Sequence, residues 1–318
     1  MNRFELIKRN AYELVTDEQI KNLCDSNYSP TAYVGYEPSG TIHMGHVLTV
    51  NKLIDLQNAG FKITVLIADL HAYLNQKGTI EEIQKTAIYN KECFTALGLT
   101  QKNTKYVFGR DFQLGPEYML NVLKLARNTT LNRAKRSMDE VSRDSQNPYV
   151  SQMIYPLMQA VDIAMLGVDV AVGGIDQRKI HMLAREGLSS IGFKPPLCIH
   201  LPILIGLDGT KMSSSKRNDL SIDDTPEEMQ RKINKAYCPE GVIEDNPILQ
   251  LFKYHIALRY NTLVIERPSK FGGDIEYIDY ASLERDFAAK KLHPQDVKKS
   301  AAKYMVEMFE PVRKLLKT

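Results

Sequence analysis

Short apolar segments alternate with longer helix-like segments in the first half of the chain, and this alternation limits the folds open to it. Lys62–Ala68 (KITVLIA) has the length and β-branched content of a buried strand, and Ala32–Tyr36 and Lys105–Phe108 are similar. The spacing predicts helices over His43–Asn58 and Ile80–Leu97, each stopped by a nearby glycine. Strands separated by helices of this length predict an α/β fold with a doubly wound parallel (Rossmann-type) sheet.

Other segments extend this organisation. We predict that the opening segment to about Asn27 is helical, that Pro156 opens a helix reaching Leu166, and that Val168–Val172 forms another strand. Beyond residue 216 the sequence becomes helical or looped, and Thr225-Pro226 followed by two acids is a strong helix start. The chain is therefore expected to comprise an α/β domain over residues 1–217 and a smaller, mainly α-helical domain over residues 218–318.

The composition excludes several classes of protein. A chain with 43% hydrophobic and 25% charged residues is typical of a globular protein with a sizeable core. Its apolar runs fall short of the ~20 residues needed to cross a bilayer. The N-terminus MNRFELIKRN carries charge where a signal peptide needs apolar residues, so we expect a cytoplasmic protein. The four cysteines are far apart, which argues against a disulfide framework and a zinc knuckle.

The net charge is only +3, but basic residues concentrate between Tyr118 and Met138, a stretch without acids. A solvated helix face is the commoner source of such a cluster. A surface that contacts phosphates is the functional alternative.

The segment Pro38-Ser39-Gly40-Thr41-Ile42-His43-Met44-Gly45-His46 lies between the first strand and the next helix. Ligands of doubly wound sheets bind at the carboxyl ends of the strands, where a helix N-terminus offers free N–H groups to phosphate. Two imidazoles on one side of the first helical turn can donate to phosphate oxygens, and Gly45 leaves room for a flat base. A metal pair and two structural histidines are the alternatives, although the motif lacks the glutamate of HExxH.

A second motif, Lys211-Met212-Ser213-Ser214-Ser215-Lys216, follows the flexible run Asp208-Gly209-Thr210. A lysine with clustered hydroxyls can hold a triphosphate and stabilise the charge that develops on departing pyrophosphate. Any linker rich in serine and lysine would look similar, so this motif is informative only together with others.

The third feature is Tyr155-Pro156-Leu157-Met158-Gln159-Ala160-Val161-Asp162. If Pro156 opens a helix, the side chains of Tyr155, Gln159 and Asp162 lie along one side of it. Because their neighbours are apolar, the amide and the carboxylate are either paired inside a site or exposed on the polar face of an amphipathic helix. The pattern alone slightly favours the exposed face.

Together these motifs resemble the two signatures of class I aminoacyl-tRNA synthetases, HxGH after the first strand and KMSSS roughly 170 residues later. Three stretches narrow the resemblance to the tyrosyl-tRNA synthetases, namely Tyr33–Gly40 (YVGYEPSG), Tyr155–Asp162 and Val172–Arg178 (VGGIDQR). The length and the C-terminal half are similar to the archaeal and eukaryotic-type branch. The resemblance covers nearly the whole chain, and such an ordered set is highly specific.

This resemblance implies that Tyr33 and Asp162 bind the phenol hydroxyl of L-tyrosine, since a carboxylate accepts hydrogen bonds and a hydroxyl can do either. It places Tyr155, Gln159 and Gln177 at the α-amino end of the substrate, with Glu37 beside them. Phenylalanine would leave the hydroxyl-binding groups buried and unpaired.

The resemblance also implies residues that bind ATP and act in catalysis. The ATP-binding residues would be Gly35, Pro38, Ser39, Gly40, His43, Gly45, His46, Lys211, Met212 and Ser214. The catalytic residues would be His43, His46, Lys211, Ser213, Ser214 and Ser215. Ser214 stands where the common KMSKS pattern has a second lysine, and the sequence leaves open whether Lys216 supplies the missing charge.

The implied reaction has two steps and needs no protein nucleophile. The tyrosine carboxylate attacks the α-phosphorus of ATP, giving tyrosyl-adenylate and pyrophosphate. The terminal ribose hydroxyl of tRNA(Tyr) then takes the acyl group. Catalysis of this kind is mostly positioning and electrostatics. Mg²⁺ is expected to arrive with ATP, because no dedicated metal site is apparent in the sequence.

For tRNA, the resemblance assigns two sets of contacts. It places Arg136, Arg178 and Lys179 at the first base pair of the acceptor stem, and Phe271, His293 and Asp296 at the anticodon guanine. The C-terminal domain would then bind the anticodon. The family is homodimeric, which predicts a dimer interface in the insertion at roughly residues 113–147.

Three alternatives follow from the same motifs. A tryptophanyl-tRNA synthetase shares the fold and both signatures, but Tyr33 with Asp162 argues against it. An adenylyltransferase could use HxGH alone, but it would not need the C-terminal helical domain. A catalytically silent RNA-binding relative should have lost a histidine of HxGH or Lys211, and this chain retains them.

Overall fold

The computed structural model describes residues 2–25, 28–141, 147–210, 212 and 218–316. The chain divides into two compact units. The first comprises Met1–Gly40 with Lys52–Pro202, and the second comprises Thr41–Asn51 with Ile203–Thr318. The boundary predicted near residue 217 lies outside the described residues, and the separate functions assigned to 1–217 and 218–318 stay predictions.

Within the described residues, one six-stranded sheet forms the centre of the first unit. Its strands are β1 (Glu13–Val15), β2 (Thr31–Tyr36), β3 (Lys62–Ile67), β4 (Thr104–Phe108), β5 (Val170–Gly174) and β6 (Leu197–Leu201). Their order is β1-β6-β5-β2-β3-β4, with β1 antiparallel to β6 and all other neighbours parallel. The chain winds to one side from β2 and to the other from β5, which confirms the predicted doubly wound fold. Such a reversal opens a crevice at the carboxyl ends of β2 and β5.

Helices connect these strands. They are α1 (Arg3–Lys8), α2 (Asp17–Asp25), α3 (Met44–Asn58), α4 (Asp69–Leu74), α5 (Ile80–Ala96), α6 (Pro116–Arg127), α7 (Leu131–Met138), α8 (Val150–Met165) and α9 (Arg178–Gly187). The first turns of α3 belong to the second unit. α5 begins with a reciprocal cap, in which Thr79 accepts from the Glu82 N–H and Glu82 accepts from the Thr79 N–H.

Two predictions about the first unit are wrong. The opening segment is not helical throughout, because β1 interrupts it and pairs Glu13 with His200. A three-residue edge strand is too short to show a period, and its partner is distant in sequence. Pro156 lies inside α8 and does not open it, since the helix already begins at Val150. Burial of the helix from Tyr155 to Ile163 offsets the hydrogen bond that a proline inside a helix lacks.

The second unit is mainly helical, as predicted. It contains α10 (Pro226–Lys235), α11 (Pro247–Tyr254), α12 (Tyr280–Ala288), α13 (Pro294–Leu316) and an antiparallel pair of strands, β7 (Leu263–Ile265) and β8 (Ile275–Tyr277). α10 begins at the predicted signal, where Thr225 and Glu228 form a reciprocal cap around Pro226. α10 packs along α13. Among the described residues, no helix combines the length and apolarity needed to span a membrane.

Candidate active site

One face of α8 carries three of the predicted site residues into the first unit. Tyr155, Gln159 and Asp162 are 5%, 8% and 0% exposed, so they lie inside the protein and not on a polar outer face. The exposed alternative, which the sequence pattern slightly favoured, is therefore wrong. Polar groups are buried at this depth only where they have partners or await a ligand.

Asp162 is held from one side only. Its Oδ1 accepts hydrogen bonds from Nε2 of Gln113 and from the hydroxyl of Tyr118, each at 2.8 Å. Its Oδ2 is buried and has no hydrogen bond to any described residue; Nε2 of His71 lies 3.5 Å away. Burial raises the pKa of Asp162 to about 7 and lowers the pKa of His71 to about 4. His71 is therefore neutral, so the two side chains do not form an ion pair. The hydrogen bonds to Oδ1 orient the carboxylate, and Oδ2 can accept a hydrogen bond.

Tyr33 lies on β2, and its ring is also inside the unit, with 1% of its surface exposed. Burial, and secondly the charge of Asp162, raises the pKa of its phenol, so the hydroxyl stays protonated. The hydroxyl reaches over Gly35, two residues further along the strand, where a β-carbon would lie 2.9 Å from it. A side chain at residue 35 would therefore displace the Tyr33 hydroxyl.

A second polar group surrounds Glu37, just after β2. The Glu37 carboxylate accepts from the hydroxyl of Tyr155 at 2.6 Å and from Nδ2 of Asn75 at 3.1 Å, and Nζ of Lys77 lies 3.5 Å away. Burial raises the pKa of the Tyr155 phenol, which keeps it a donor. A carboxylate fixed by neutral donors can still accept from a ligand cation.

The amides of Gln159 and Gln177 are joined, because Nε2 of Gln159 donates to Oε1 of Gln177 at 3.2 Å. Gln177 ends a short 3₁₀ turn (Ile175–Gln177) that follows β5. All six residues predicted for tyrosine binding thus lie in the first unit, on β2, directly after β2, on α8 and on the segment after β5.

Four residues of this site were not predicted from the sequence, namely His71, Asn75, Gln113 and Tyr118. Two of them lie on or beside α4, directly after β3, where the run Ala68-Asp69-Leu70-His71 leaves a buried strand. Polar residues at the carboxyl end of a strand in a doubly wound sheet are a usable signal. Gln113 and Tyr118 reach Asp162 from 49 and 44 residues away, and no local pattern reveals that contact.

The HxGH turn belongs to the second unit and pairs there with the segment that starts at residue 218. The Met44 N–H donates to the carbonyl of Leu220 at 3.1 Å, and the Ile222 N–H donates to that of Ile42 at 3.0 Å. α3 begins at Met44. His43 therefore lies just before the helix, and not in its first turn as predicted.

The two histidines of this turn are in contact, with ring centroids 4.1 Å apart. Nδ1 of His43 accepts from the Gly45 N–H at 3.1 Å, and Nδ1 of His46 accepts from the His43 N–H at 3.2 Å. Burial lowers the pKa of both imidazoles, so both are neutral and each carries its proton on Nε2. A β-carbon at residue 45 would lie 2.9 Å from the His43 ring, which explains the glycine.

The predicted phosphate-binding loop is only partly described. Lys211, Ser213, Ser214, Ser215 and Lys216 lie outside the described residues. Met212 is half-buried, and its N–H lies 3.4 Å from the carbonyl of Leu204. In the loop after β2, Pro38 is buried, whereas Ser39 and Gly40 are exposed.

The residues predicted to contact the acceptor stem lie in the first unit. Arg136 is exposed on α7. Arg178 and Lys179 open α9 directly after Gln177, and Arg178 Nε donates to Glu13 at 2.9 Å. Lys179 pairs with two acidic residues that directly follow α7, Asp139 at 3.4 Å and Glu140 at 3.2 Å.

The residues predicted to contact the anticodon lie in the second unit. Phe271 is 61% exposed at the end of a 3₁₀ turn (Ser269–Phe271), with the Lys270 ammonium 4.9 Å from its ring centre. His293 is exposed just before α13, and Asp296 is half-buried in the first turn of that helix. An exposed aromatic ring and an accessible carboxylate have the chemistry of base stacking and base-edge recognition.

Comparisons with known proteins show which family the chain belongs to. A family model described as tRNA synthetases class I (W and Y) matches residues 25–310. The tyrosine–tRNA ligase of Methanosarcina mazei is 67% identical over 316 residues, which cover 99% of this chain and 100% of the relative.

Solved structures extend the comparison to the fold. The crystal structure of tyrosyl-tRNA synthetase from Archaeoglobus fulgidus, complexed with L-tyrosine, matches with a TM-score of 0.97 at 60% identity and covers 99% of this chain and 98% of that one. A tryptophanyl-tRNA synthetase from Aeropyrum pernix matches with a TM-score of 0.76 over 95% of this chain and 82% of that one. At 22% identity, this second likeness shows the fold alone.

Proposed function

We propose residue roles for a chain that belongs to the class I tRNA synthetases and, within them, to the tyrosine–tRNA ligases. The enzyme activates L-tyrosine with ATP, giving tyrosyl-adenylate and pyrophosphate, and then transfers tyrosine to the 3′ end of tRNA(Tyr). The proposals concern which side chains carry these two steps.

Asp162 is proposed to recognise the phenol hydroxyl, with Tyr33 as its second partner. The observation that carries this proposal is the buried Oδ2 of Asp162, which no described residue contacts by a hydrogen bond. A buried acceptor without a donor costs about 1–3 kcal/mol, and a bound hydroxyl removes that cost. Gln113 and Tyr118 fix the other oxygen, so Oδ2 is already oriented before the substrate arrives. The test is the specificity of pyrophosphate exchange.

Glu37, Tyr155, Gln159 and Gln177 are proposed to bind the α-amino end of tyrosine. The carboxylate of Glu37 and the amide oxygens of the two glutamines are acceptors, which an ammonium group with three donors requires. Tyr155 holds Glu37 in place through its hydroxyl at 2.6 Å. Holding both ends of the substrate aims its carboxylate for the first step.

His43 and His46 are proposed to bind ATP phosphates through their Nε2 protons. Gly45 is proposed to leave room for the flat base of ATP against the backbone. Neutral donors fixed by the backbone can stabilise charge as it develops on the phosphoryl oxygens. The tyrosine carboxylate forms a bond to the α-phosphorus while the bridging bond to the β-phosphate breaks. For the remaining ATP-binding and catalytic residues, the resemblance supports the same assignment: Gly35, Pro38, Ser39, Gly40, Lys211, Met212, Ser213, Ser214 and Ser215.

Mg²⁺ is proposed to enter with ATP, bound mainly by its phosphates. Among the described residues, one group of three side chains has metal-ligand spacing, His181, Cys198 and His200. It offers nitrogen and sulfur, whereas Mg²⁺ prefers oxygen. This group, found among the described residues, therefore does not suit Mg²⁺, and the proposal rests on the phosphates of ATP as its ligands.

Phe271, His293 and Asp296 are proposed to recognise the anticodon. Variants of these residues should therefore impair the charging of tRNA and leave the activation of tyrosine unchanged. Asp296→Ala removes an acceptor for base N–H groups, which should cost about 1–3 kcal/mol by analogy with a good base contact. Phe271→Ala removes a stacking surface of similar worth. Each variant should charge tRNA about 5- to 150-fold less efficiently at fixed salt, since phosphate contacts depend on salt.

The control for these variants is pyrophosphate exchange with tyrosine, measured on the same preparations. Exchange needs no tRNA, so it should keep its normal rate. The HxGH turn lies in the same compact unit as Asp296. A variant that misfolds this unit should therefore also lose exchange. Equal damage to exchange and to charging would show that the anticodon assignment is misplaced.

A homodimer is proposed, with its interface in residues 113–147. Leu114, Leu120, Leu123 and Leu131 are between 52% and 70% exposed. Leu120 and Leu123 share one side of α6, whereas its other side packs Tyr118, Val122 and Leu125 into the core. Exposed apolar side chains at this density mark protein interfaces.

Leu123→Glu should therefore convert the dimer into a monomer, because a buried unpaired carboxylate is costly at an interface. Light scattering after size-exclusion chromatography gives the mass. Leu315→Glu is the matched control, since Leu315 is also about 60% exposed but lies on α13. An unmodified enzyme with the mass of one chain would contradict the proposal.

A further inference from the structure

A hydrogen-bonded row of four side chains runs from the surface of the first unit into its interior. Nε of Arg178 donates to Oε1 and Oε2 of Glu13 at 3.1 and 2.9 Å. Oε2 of Glu13 also lies 2.7 Å from Nδ1 of His200. Nε2 of His200 lies 3.0 Å from Nδ1 of His181. We call these four residues the Glu13 relay; the roles assigned above leave Glu13, His181 and His200 unused.

The direction of each hydrogen bond in the relay follows from its chemistry. A carboxylate only accepts, so Nδ1 of His200 carries a proton. Burial lowers the pKa of both imidazoles, that of His181 to about 3, so both rings are neutral. Nε2 of His200 is then an acceptor, and His181 Nδ1–H donates to it. The relay therefore fixes the carboxylate of Glu13 in one orientation.

The same rings could instead belong to a metal site, since the ligand atoms of His181, Cys198 and His200 lie within 4.8 Å of one another. A metal ion would need a lone pair from each imidazole and a thiolate. The facing imidazole nitrogens already share a proton at 3.0 Å. Burial raises the pKa of Cys198 to about 12, which keeps the thiol protonated. The geometry favours the hydrogen-bonded row.

Three distant segments build the relay. Glu13 on β1 is the register partner of His200 on β6, and α9 contributes Arg178 and His181, three residues apart on one side of the helix. At its inner end, the His181 ring packs against Gly173 at the end of β5, where a β-carbon would lie 3.1 Å from it. The relay thus ties the start of α9 to the sheet.

We propose that Glu13 and His200 are positioning residues that hold the guanidinium of Arg178 for contact with the acceptor stem, an inference that rests on the proposed tRNA role of Arg178. Glu13 engages Nε and leaves the two Nη groups for a base edge or phosphate. An ordinary exposed ion pair contributes little, because both side chains lose freedom when they meet. Here the carboxylate is already fixed by His200, so less freedom remains to be lost on binding.

Glu13→Gln tests the inference, because the amide lacks the negative charge that attracts the guanidinium and places an NH₂ donor where Oε1 or Oε2 now accepts from Arg178 or His200. Charging efficiency should fall about 10-fold, mainly through a higher KM for tRNA. Losses of this size are typical when a residue that orients a ligand-binding side chain is removed. The fall in charging should exceed any change in pyrophosphate exchange at least about fivefold, since exchange does not use Arg178. Asp17→Asn is the matched control, because Asp17 forms an exposed ion pair with Lys8 in the same unit.

A double-mutant cycle separates positioning from an independent effect. If Glu13 acts through Arg178, then Glu13→Gln should lower charging by no more than about twofold when Arg178→Ala is already present. Losses that multiply would overturn the inference. Normal charging by Arg178→Ala would overturn the proposed tRNA role itself, whereas an impaired Arg178→Ala with a normal Glu13→Gln would overturn only the positioning.

Two variants of His200 provide the rescue test. In His200→Asn the amide nitrogen can still donate to Glu13, whereas His200→Leu cannot. The asparagine variant should charge tRNA within about threefold of the unmodified enzyme, and the leucine variant should resemble Glu13→Gln. Thermal unfolding of both variants identifies loss of folding. Equal charging by two folded variants would show that the hydrogen bond to Glu13 does not matter.

Discussion

The unmodified enzyme should activate tyrosine in strong preference to phenylalanine, and Asp162→Ala should remove most of that preference. Tyrosyl-tRNA synthetases are themselves the standard example of such discrimination, which amounts to about 10⁵ against phenylalanine. The physical reason is that phenylalanine leaves Oδ2 of Asp162 buried without a donor, whereas tyrosine supplies one. Pyrophosphate exchange with each amino acid gives the ratio of kcat/KM values.

The same carboxylate predicts a pH dependence with a definite sign. Because burial raises the pKa of Asp162 to about 7, the group is ionised above that pH and protonated below it. Protonation replaces an acceptor by a donor, so the KM for tyrosine should rise as the pH falls through 7. Asp162→Asn is the isosteric control, since its Oδ1 can still accept from Gln113 and Tyr118. Equal activation of both amino acids by the unmodified enzyme would refute the assignment.

Replacing either histidine of the HxGH turn should slow adenylate formation by roughly 10- to 1000-fold, the range that single electrostatic donors contribute in other enzymes. His43→Ala and His46→Ala each remove an Nε2 proton proposed to face a phosphate, and Lys211→Ala removes a proposed cation. An interaction made mainly in the transition state lowers kcat, whereas loss of uniform binding raises KM. The expected result is therefore a lower kcat for exchange with little change in tyrosine affinity.

Tyrosine affinity, measured by calorimetry without ATP, serves as the internal control for these three variants. None of them lies among the residues proposed to bind tyrosine, so the binding constant should be unchanged, and thermal unfolding checks the folding of the second unit, to which positions 43, 46 and 211 belong. Normal exchange by all three variants would show that the two signatures do not hold ATP. A loss of tyrosine binding that parallels the loss of exchange would point to misfolding instead.

The fold class, the family and the line of residues on α8 could all be predicted from the sequence. The period of the apolar residues and the length of each segment distinguish strands from helices. The spacing of Tyr155, Gln159 and Asp162 places them on one side of any helix that contains them. The two signatures needed no structure either, because their residues are adjacent in the chain. Even the error at Pro156 left that side of α8 correct, since moving the start of a helix does not rotate its faces.

The burial of that side of α8, and the groups that contact it, could not be predicted, because they depend on how distant segments pack together. Gln113 and Tyr118 reach Asp162 across 49 and 44 residues, and the pairing of Glu13 with His200 spans the length of the first unit in sequence. Such packing also joins Thr41–Asn51 to the chain beyond residue 202 in one compact unit. Local periodicity carries no information about such pairs, because they form only when distant segments bury their apolar faces against each other.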